Sequence, residues 1–238
     1  MSTRSYDGTV VVRGELAPYR VRYSRRARSP SLRIDARRGL EVVLPEGAPA
    51  ENVANLLQEQ ATWLDRHADD VHRAGRVVRM QTGTGLPMRG DWATLEVVRG
   101  ERPRILYADA TIRVVAPSPS DERAIHDQLE RWYRTQARAV VPARVEALRR
   151  PGDGAIKRVT IRDQATCWAS CSGQGTLSFN WRLVMAPPDV LDAVVTHELV
   201  HLRIADHSSR FWVALNERYP RSDACRRWLD ANAYRLGF

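Results

Sequence analysis

The sequence predicts an α+β protein, β-rich through its N-terminal half and helical towards its C-terminus. Three observations predict this. Between residues 9 and 115, apolar and polar residues alternate in short runs separated by Gly, Pro and Asp. Beyond residue 120 the apolar residues recur at three- and four-residue steps. Hydrophobic content of 43% and charged content of 27% are ordinary for a globular chain, and 238 residues suffice for one large domain or two small ones.

Residues 9–13 and 19–24 read as short strands around a turn from Gly14 to Pro18. Ser31 to Asp35 alternates, Arg38-Gly39 turns, and Leu40 to Leu44 alternates again, which predicts a hairpin ended by Pro45 and Gly47. From Pro49 to about His72 the period becomes helical, with Val53, Leu56, Leu57, Ala61 and Leu64 on one side. Trp63 should cover the sheet, and His67 and His72 should lie on the surface. Val77 to Met80, Trp92 to Val98, Arg104 to Tyr107 and Thr111 to Val115 return to strand patterns between turn residues. No Gly-rich phosphate loop leads into a helix, which argues against a nucleotide site.

Pro117-Ser118-Pro119-Ser120 is the clearest internal break. It suggests a β-rich region over 1–118 and a second region over 119–238, which can also pack as one continuous unit. Ser120 is the expected N-cap of a long helix from Asp121 to about Arg149, kinked or divided at Pro142, with His126 on its surface. Lys157 to Arg162 and Thr176 to Asn180 read as strands, with the compact Cys167 to Ser172 segment between them. Pro188 starts a helix. Ser208 should cap a short helix to about Tyr219, and Ser222 to Leu236 reads as a last helix. No internal repeat is evident.

The helix after Pro188 carries His197-Glu198-Leu199-Val200-His201, an HExxH pattern. Residues four apart share a helix face, so His197 and His201 can present both imidazoles to one metal ion. Glu198, beside that face, is placed to act as general base on a metal-bound water. His207, ten residues after His197, supplies the obvious third ligand. Three of the six His fall within eleven residues of an otherwise apolar segment, where polar groups need an explanation. Zinc is the expected metal, since a catalytic zinc takes three protein ligands and keeps one position for water. Asp206, beside His207, reads either as a carboxylate that orients a ligand imidazole or as a solvated loop-end carboxylate.

The three Cys are an odd number and suggest no disulfide framework; Cys167 and Cys171 read as reduced thiols. The start of the chain lacks a signal-peptide core, and no apolar run approaches the roughly 20 residues that span a bilayer. The expectation is a cytoplasmic protein with no membrane partner. The net charge of +9 comes almost wholly from arginine, since Lys157 is the only lysine. A basic surface attracts nucleic acid, which keeps such a partner possible. The absence of a basic tail favours charge spread over solvated faces.

Four blocks of this sequence resemble the YgjP-like metallopeptidases, which are more distantly related to SprT-like and WLM-type proteases. They are the strand pair from Ser31 to Pro45 with the helix holding Trp63-Leu64; Trp168-Ala169-Ser170-Cys171-Ser172; Leu177-Ser178-Phe179-Asn180-Trp181-Arg182-Leu183; and His197-Glu198-Leu199-x-His201-Leu202 with His207-Ser208-x-x-Phe211-Trp212. The likeness spans about residues 20–229. It implies a zincin-like core after the β-rich material, with zinc on His197, His201 and His207 and Glu198 as catalytic base. It implies a peptidase acting on peptide or protein substrates, with Trp168, Ser170, Ser178 and Asn180 near the substrate. The Thr176 to Asn180 strand would then pair with an extended peptide. Ala169 stands where the family commonly has Gly, Cys167 where it often has Arg, and Asp206 where it often has Asn. Ile204 replaces the Gly of the longer metzincin pattern. The alternative is a basic, SprT-like zinc protein that binds nucleic acid, either acting on DNA-associated proteins or non-catalytic.

Overall fold

Alternation from residue 8 onward folds as strands in the computed structural model, which describes residues 7–35, 39–73, 78–164 and 167–237. By its internal contacts the chain divides into two compact units, Met1–Val78 with Ala233–Phe238, and Arg79–Asn232. The Pro117 to Ser120 break lies inside the second unit, between a strand and the long helix that follows. No described helix is long and apolar enough to cross a membrane.

The first unit holds a four-stranded sheet of β1 (Gly8–Val12), β2 (Glu15–Ser24), β3 (Ser31–Asp35) and β4 (Gly39–Pro45), in the order β1-β2-β4-β3. Arg13 and Gly14 both have positive φ, 47° and 82°. That is the two-residue turn whose twist suits a hairpin. β2 therefore begins at Glu15 rather than at residue 19. Pro18 lies within it, opposite Thr9 and before pairing with β4 begins at Tyr19. β3 and β4 form the expected hairpin, although Arg38 of its turn lies outside the described residues. β4 runs parallel to β2 and is buried from Gly39 to Leu44. Its one charge there, Glu41, meets Arg22 at 3.6 Å.

The single helix expected after β4 is three short ones: α1 (Asn52–Glu59), α2 (Ala61–Arg66) and α3 (Ala68–Arg73). The backbone leaves helical geometry at Gln60 and at His67. At His67 the imidazole Nδ1 lies 2.8 Å from the carbonyl four residues back, on Trp63. Such back-bonding competes with the helix. His67 and His72 are thus half-buried rather than surface residues: His67 stacks on Trp63, and His72 Nε2 reaches the Val12 carbonyl at 3.1 Å. Val53, Leu56, Leu57, Leu64 and Val71 form a core with the apolar residues of the sheet, and Trp63 packs against it as expected.

The second unit opens with β5 (Gly85–Met88), β6 (Asp91–Arg99), β7 (Arg104–Ala108) and β8 (Thr111–Ala116), ordered β5-β6-β8-β7. No strand covers residues 78–80, and Val77 lies outside the described residues. β5 was not expected. It holds Pro87, which an edge strand tolerates because one side of its ladder stays free. This sheet repeats the topology of the first: an antiparallel hairpin, a parallel central pair, then a second antiparallel hairpin. The repeat lies in geometry, not sequence, which explains why the residues show none.

α4 (Glu122–Leu148) follows, capped by the Asp121 carboxylate on the Ala124 N–H at 3.0 Å rather than by Ser120. Ile125, Leu129, Tyr133, Ala137, Val141 and Val145 form a buried stripe at four-residue steps. Pro142 does not divide the helix. Both it and Arg138, whose carbonyl it cannot bond, are exposed, so water can serve that carbonyl. A third sheet orders β9 (Arg158–Arg162), β10 (Ala169–Cys171) and β11 (Thr176–Asn180) as β10-β11-β9. Gly175, at φ 75°, turns β10 into β11, and a Cβ there would strike the Ala155 carbonyl. A 3₁₀ turn (Trp181–Met185) leads to α5 (Pro188–His201), α6 (Ser209–Arg218) and α7 (Ser222–Asn232). The last helix ends at Asn232, and Ala233–Arg235 form a separate 3₁₀ turn.

Candidate metal centre

α5 begins with Pro188 in its first turn, where a missing N–H costs nothing, and Asp189 near its positive end. Val190, Leu191, Val195, Leu199 and Val200 bury it on several sides. Thr196 satisfies its own hydroxyl on the Asp192 carbonyl at 2.8 Å. Arg144 of α4 grips the Asp192 carboxylate at 2.7 and 2.8 Å, which fixes α5 against α4.

His197 and His201 project from one face of α5, and His207 comes from the loop before α6. Their three Nε2 atoms are mutually 3.1 Å apart. Ligand nitrogens on a tetrahedral zinc, at about 2.0–2.1 Å from the ion, are separated by about 3.4 Å. The spacing fits one ion. His201 Nδ1 lies 2.9 Å from the Ile204 carbonyl. A carbonyl only accepts, so Nδ1 carries the proton and the neutral ring turns the lone pair of Nε2 towards the other two. Burial, then the neighbouring His201 and His207 rings and Arg226, pushes the His197 imidazolium down to about 4. It is therefore neutral, as a ligand must be. Phe211, fully buried, sets its ring centroid 4.7, 4.4 and 4.8 Å from those of His197, His201 and His207. With Val200 and Leu215 it forms an apolar cluster behind the triad.

Glu198 is 4% exposed. Its Oε2 is buried with no hydrogen-bond partner, and burial pushes its carboxyl up to about 8. A cation beside it would favour the ionised form. A buried carboxylate oxygen without a partner, on the residue after His197 and lining the same cavity, suits a site where a metal ion is held with water near it. Among the described residues, these three His are the group of ligand atoms gathered closely enough to hold one ion. His126, and the free thiols Cys167, Cys171 and Cys225, do not join it.

The profile of the YgjP-like metallopeptidase domain matches residues 28–232. The chain belongs to the YgjP-like metallopeptidase family. No curated protein of known function and no solved structure shows a significant match to it. The YgjP-like match runs from just before β3 to the end of α7 and includes every residue of the triad. Membership in this family implies a metal and peptide substrates.

The remaining expected residues of this YgjP-like domain divide into two groups. Trp168 lines a cavity together with His197 and Glu198. Ser170 is exposed on β10, where its Oγ accepts from Gln164 Nε2 at 3.3 Å. Ser178 and Asn180 are buried on β11 and used internally. Ser178 Oγ accepts from Thr160 Oγ1 at 2.9 Å; Asn180 donates to the Gln164 carbonyl at 2.8 Å and accepts from the Arg182 N–H at 3.1 Å. β11 is the central strand with both edges paired, so it cannot take up an added peptide; the outer strands are β10 and β9, and β10 is the one that packs against α5. Ala169 sits in β10 and is not among the residues with positive φ, so it needs no glycine. Asp206 is exposed and accepts from the Ser208 N–H at 3.1 Å, and the Ser208 bonds hold its carboxyl below the ordinary range. Ser208 stands at the N-cap position of α6 without a side-chain cap bond. Sequence reasoning assigned no role to Phe211 or to the Ile204 carbonyl. Phe211 and Leu215, four residues apart just after His207, were the available signal for an apolar backing.

Proposed function

We propose that the protein is a zinc-dependent endopeptidase with a zincin-like centre, in which His197, His201 and His207 hold the metal and Glu198 is the general base. The observation that carries this reading is the 3.1 Å triangle of Nε2 atoms, together with the partnerless Oε2 of Glu198, which lines a cavity with His197. Three neutral imidazoles are a donor set that suits zinc. A bound zinc ion supplies positive charge that acidifies water and polarises a carbonyl.

The chain's own residues do the rest. Glu198 takes the proton of the attacking water and delivers it to the leaving amine. Its burial keeps bulk water from competing for that proton. Phe211 keeps the three rings in place, and the Asp206 bond to Ser208 fixes the loop that carries His207. An extended peptide can add to the free edge of β10, with Ser170 exposed on that strand and Trp168 beside it. Ser178 and Asn180 act from behind by holding β9 and the Gln164 backbone in register.

Glu198→Gln tests the reading. Metal content should stay at about one ion per chain, while hydrolysis of a mixed peptide substrate falls by about 10²–10⁴-fold. Turnover equal to wild type in this variant removes Glu198 as the base.

A further inference from the structure

A cavity of about 210 Å³ opens beside His197 and Glu198. α5 contributes Ala193 and Val194, one turn before the two functional residues. α6 contributes Trp212 and Leu215, and α7 contributes Leu229. Ala193, Leu215, Cys225 and Leu229 are buried and make the deep wall mainly apolar, and the buried Ser222 hydroxyl there is used on Asn216. Apart from Glu198, the charged groups of the lining are Asp223 and Arg226, which meet each other at 3.3 Å, and the Arg226 guanidinium lies 5.3 Å from the Trp212 ring centroid. Their side chains are 50% and 59% exposed, so the charge sits at the rim and is already paired. Pockets for cofactors and drug-sized ligands run to about 300–1,000 Å³. This one has room for a single side chain.

We propose that this cavity is the specificity pocket of the site, and that it receives one uncharged apolar side chain of leucine or methionine size from the residue next to the scissile bond. The inference rests on the peptidase reading above. A lysine or glutamate entering it would lose hydration, and the one charge of the lining that has no partner, Glu198, is the proposed catalytic base and is replaced in the variant tested below. A glycine would leave the apolar wall unfilled. The other open feature at the site, the β10 edge, recognises backbone and carries no side-chain preference.

The test is a binding measurement on the full-length, zinc-loaded Glu198→Gln chain, so that no turnover is needed. Capped peptides identical except for Leu, Met, Gly or Lys at one scanned position are titrated by calorimetry. The Leu and Met peptides should bind about tenfold more tightly than the Gly and Lys peptides at one position of the scan. Adding Val194→Phe, which fills the cavity from its half-buried wall, should abolish that difference. Adding Leu229→Ala, which deepens it, should move the preference to a further peptide with Phe at that position, and this arm serves if the first variant does not fold. Equal binding of all four peptides at every position overturns the pocket assignment even if wild-type protein cleaves peptides. Preserved Leu preference with no cleavage by zinc-loaded wild type leaves the pocket and removes the peptidase reading.

Discussion

The two four-stranded sheets of this chain have the same strand order, the same directions and two-residue turns at positive φ, yet their helical partners differ. The first sheet is followed by α1, α2 and α3, none longer than eight residues. The second is followed by the 27-residue α4, whose buried stripe recurs every four residues. Short helices suffice to close a small core. A long helix has surface left over, and α4 spends it on the 3₁₀ turn and α5, the helix that carries two of the three His. Tyr133 shows the linkage: its hydroxyl donates to the Pro87 carbonyl of β5 at 2.8 Å, while its ring lies 6.2 Å from that of Trp181. One topology thus serves twice, once with short helices that close its own core and once with a long helix that packs against the helix of the candidate metal centre.

If that contrast is right, changes in the second unit reach the metal and matched changes in the first do not. The largest effect should come from His207→Ala. Its metal content, by elemental analysis, should drop from about one ion per chain to a small fraction, because two protein ligands hold zinc far more weakly than three. His72→Ala, which removes an imidazole bonded to Val12, should leave metal content unchanged. A loss in both would mean the units are not separate in function.

Next in size, Tyr133→Ala should cost about 4 kcal/mol in a denaturant titration and also weaken zinc binding, since it empties a fully buried site beside Trp181 of the 3₁₀ turn that leads into α5. Leu64→Ala in α2 should cost about 3 kcal/mol with zinc affinity unaltered. Equal effects of the two on zinc would erase the distinction between the helical partners.

Smaller again is an acid effect confined to the second unit. Asp153, in the loop after α4, pairs with Arg218 at the end of α6, their side chains only 4% and 9% exposed. Burial alone would raise the Asp153 carboxyl, but hydrogen bonds from Arg218 and the Arg150 N–H outweigh it and hold it below the ordinary value. A depressed carboxylate contributes its stability above its unfolded pKa and loses it as pH falls through the folded value. Stability should therefore decline below about pH 4. Asp153→Asn should be about 2 kcal/mol less stable than wild type at pH 7 and flatter in acid. Parallel pH curves for the two proteins would dismiss the pair as a source of acid sensitivity.

Much of this contrast could be read from residues and some could not. The β3–β4 hairpin, β6, β8, β9 and β11 follow from alternation, and the triad follows from four-residue spacing plus a third His. The breaks at Gln60 and His67 leave no trace in a periodicity that runs on through them, and no Gly or Pro marks them. β5 is Gly-Leu-Pro-Met, too short and too interrupted to alternate. Ser120 and Asp121 are both good caps, and only the geometry of the first turn chooses between them. Within the candidate site, the motif names the imidazoles that converge. The main-chain carbonyl behind His201 depends on where α5 stops, and no residue type announces it.

That carbonyl has a bearing on how the centre tolerates change. The orientation of His201 is set by the main chain at Ile204, so no exchange of the side chain at that position deletes the acceptor. Point substitutions there can alter packing while the ligand keeps its tautomer. A one-residue insertion or deletion between Leu202 and Ile204 would swing the carbonyl away and release the ring. The centre is robust to spelling and sensitive to length, and the three residues after His201 act as a ruler whose span, rather than whose lettering, variation must respect.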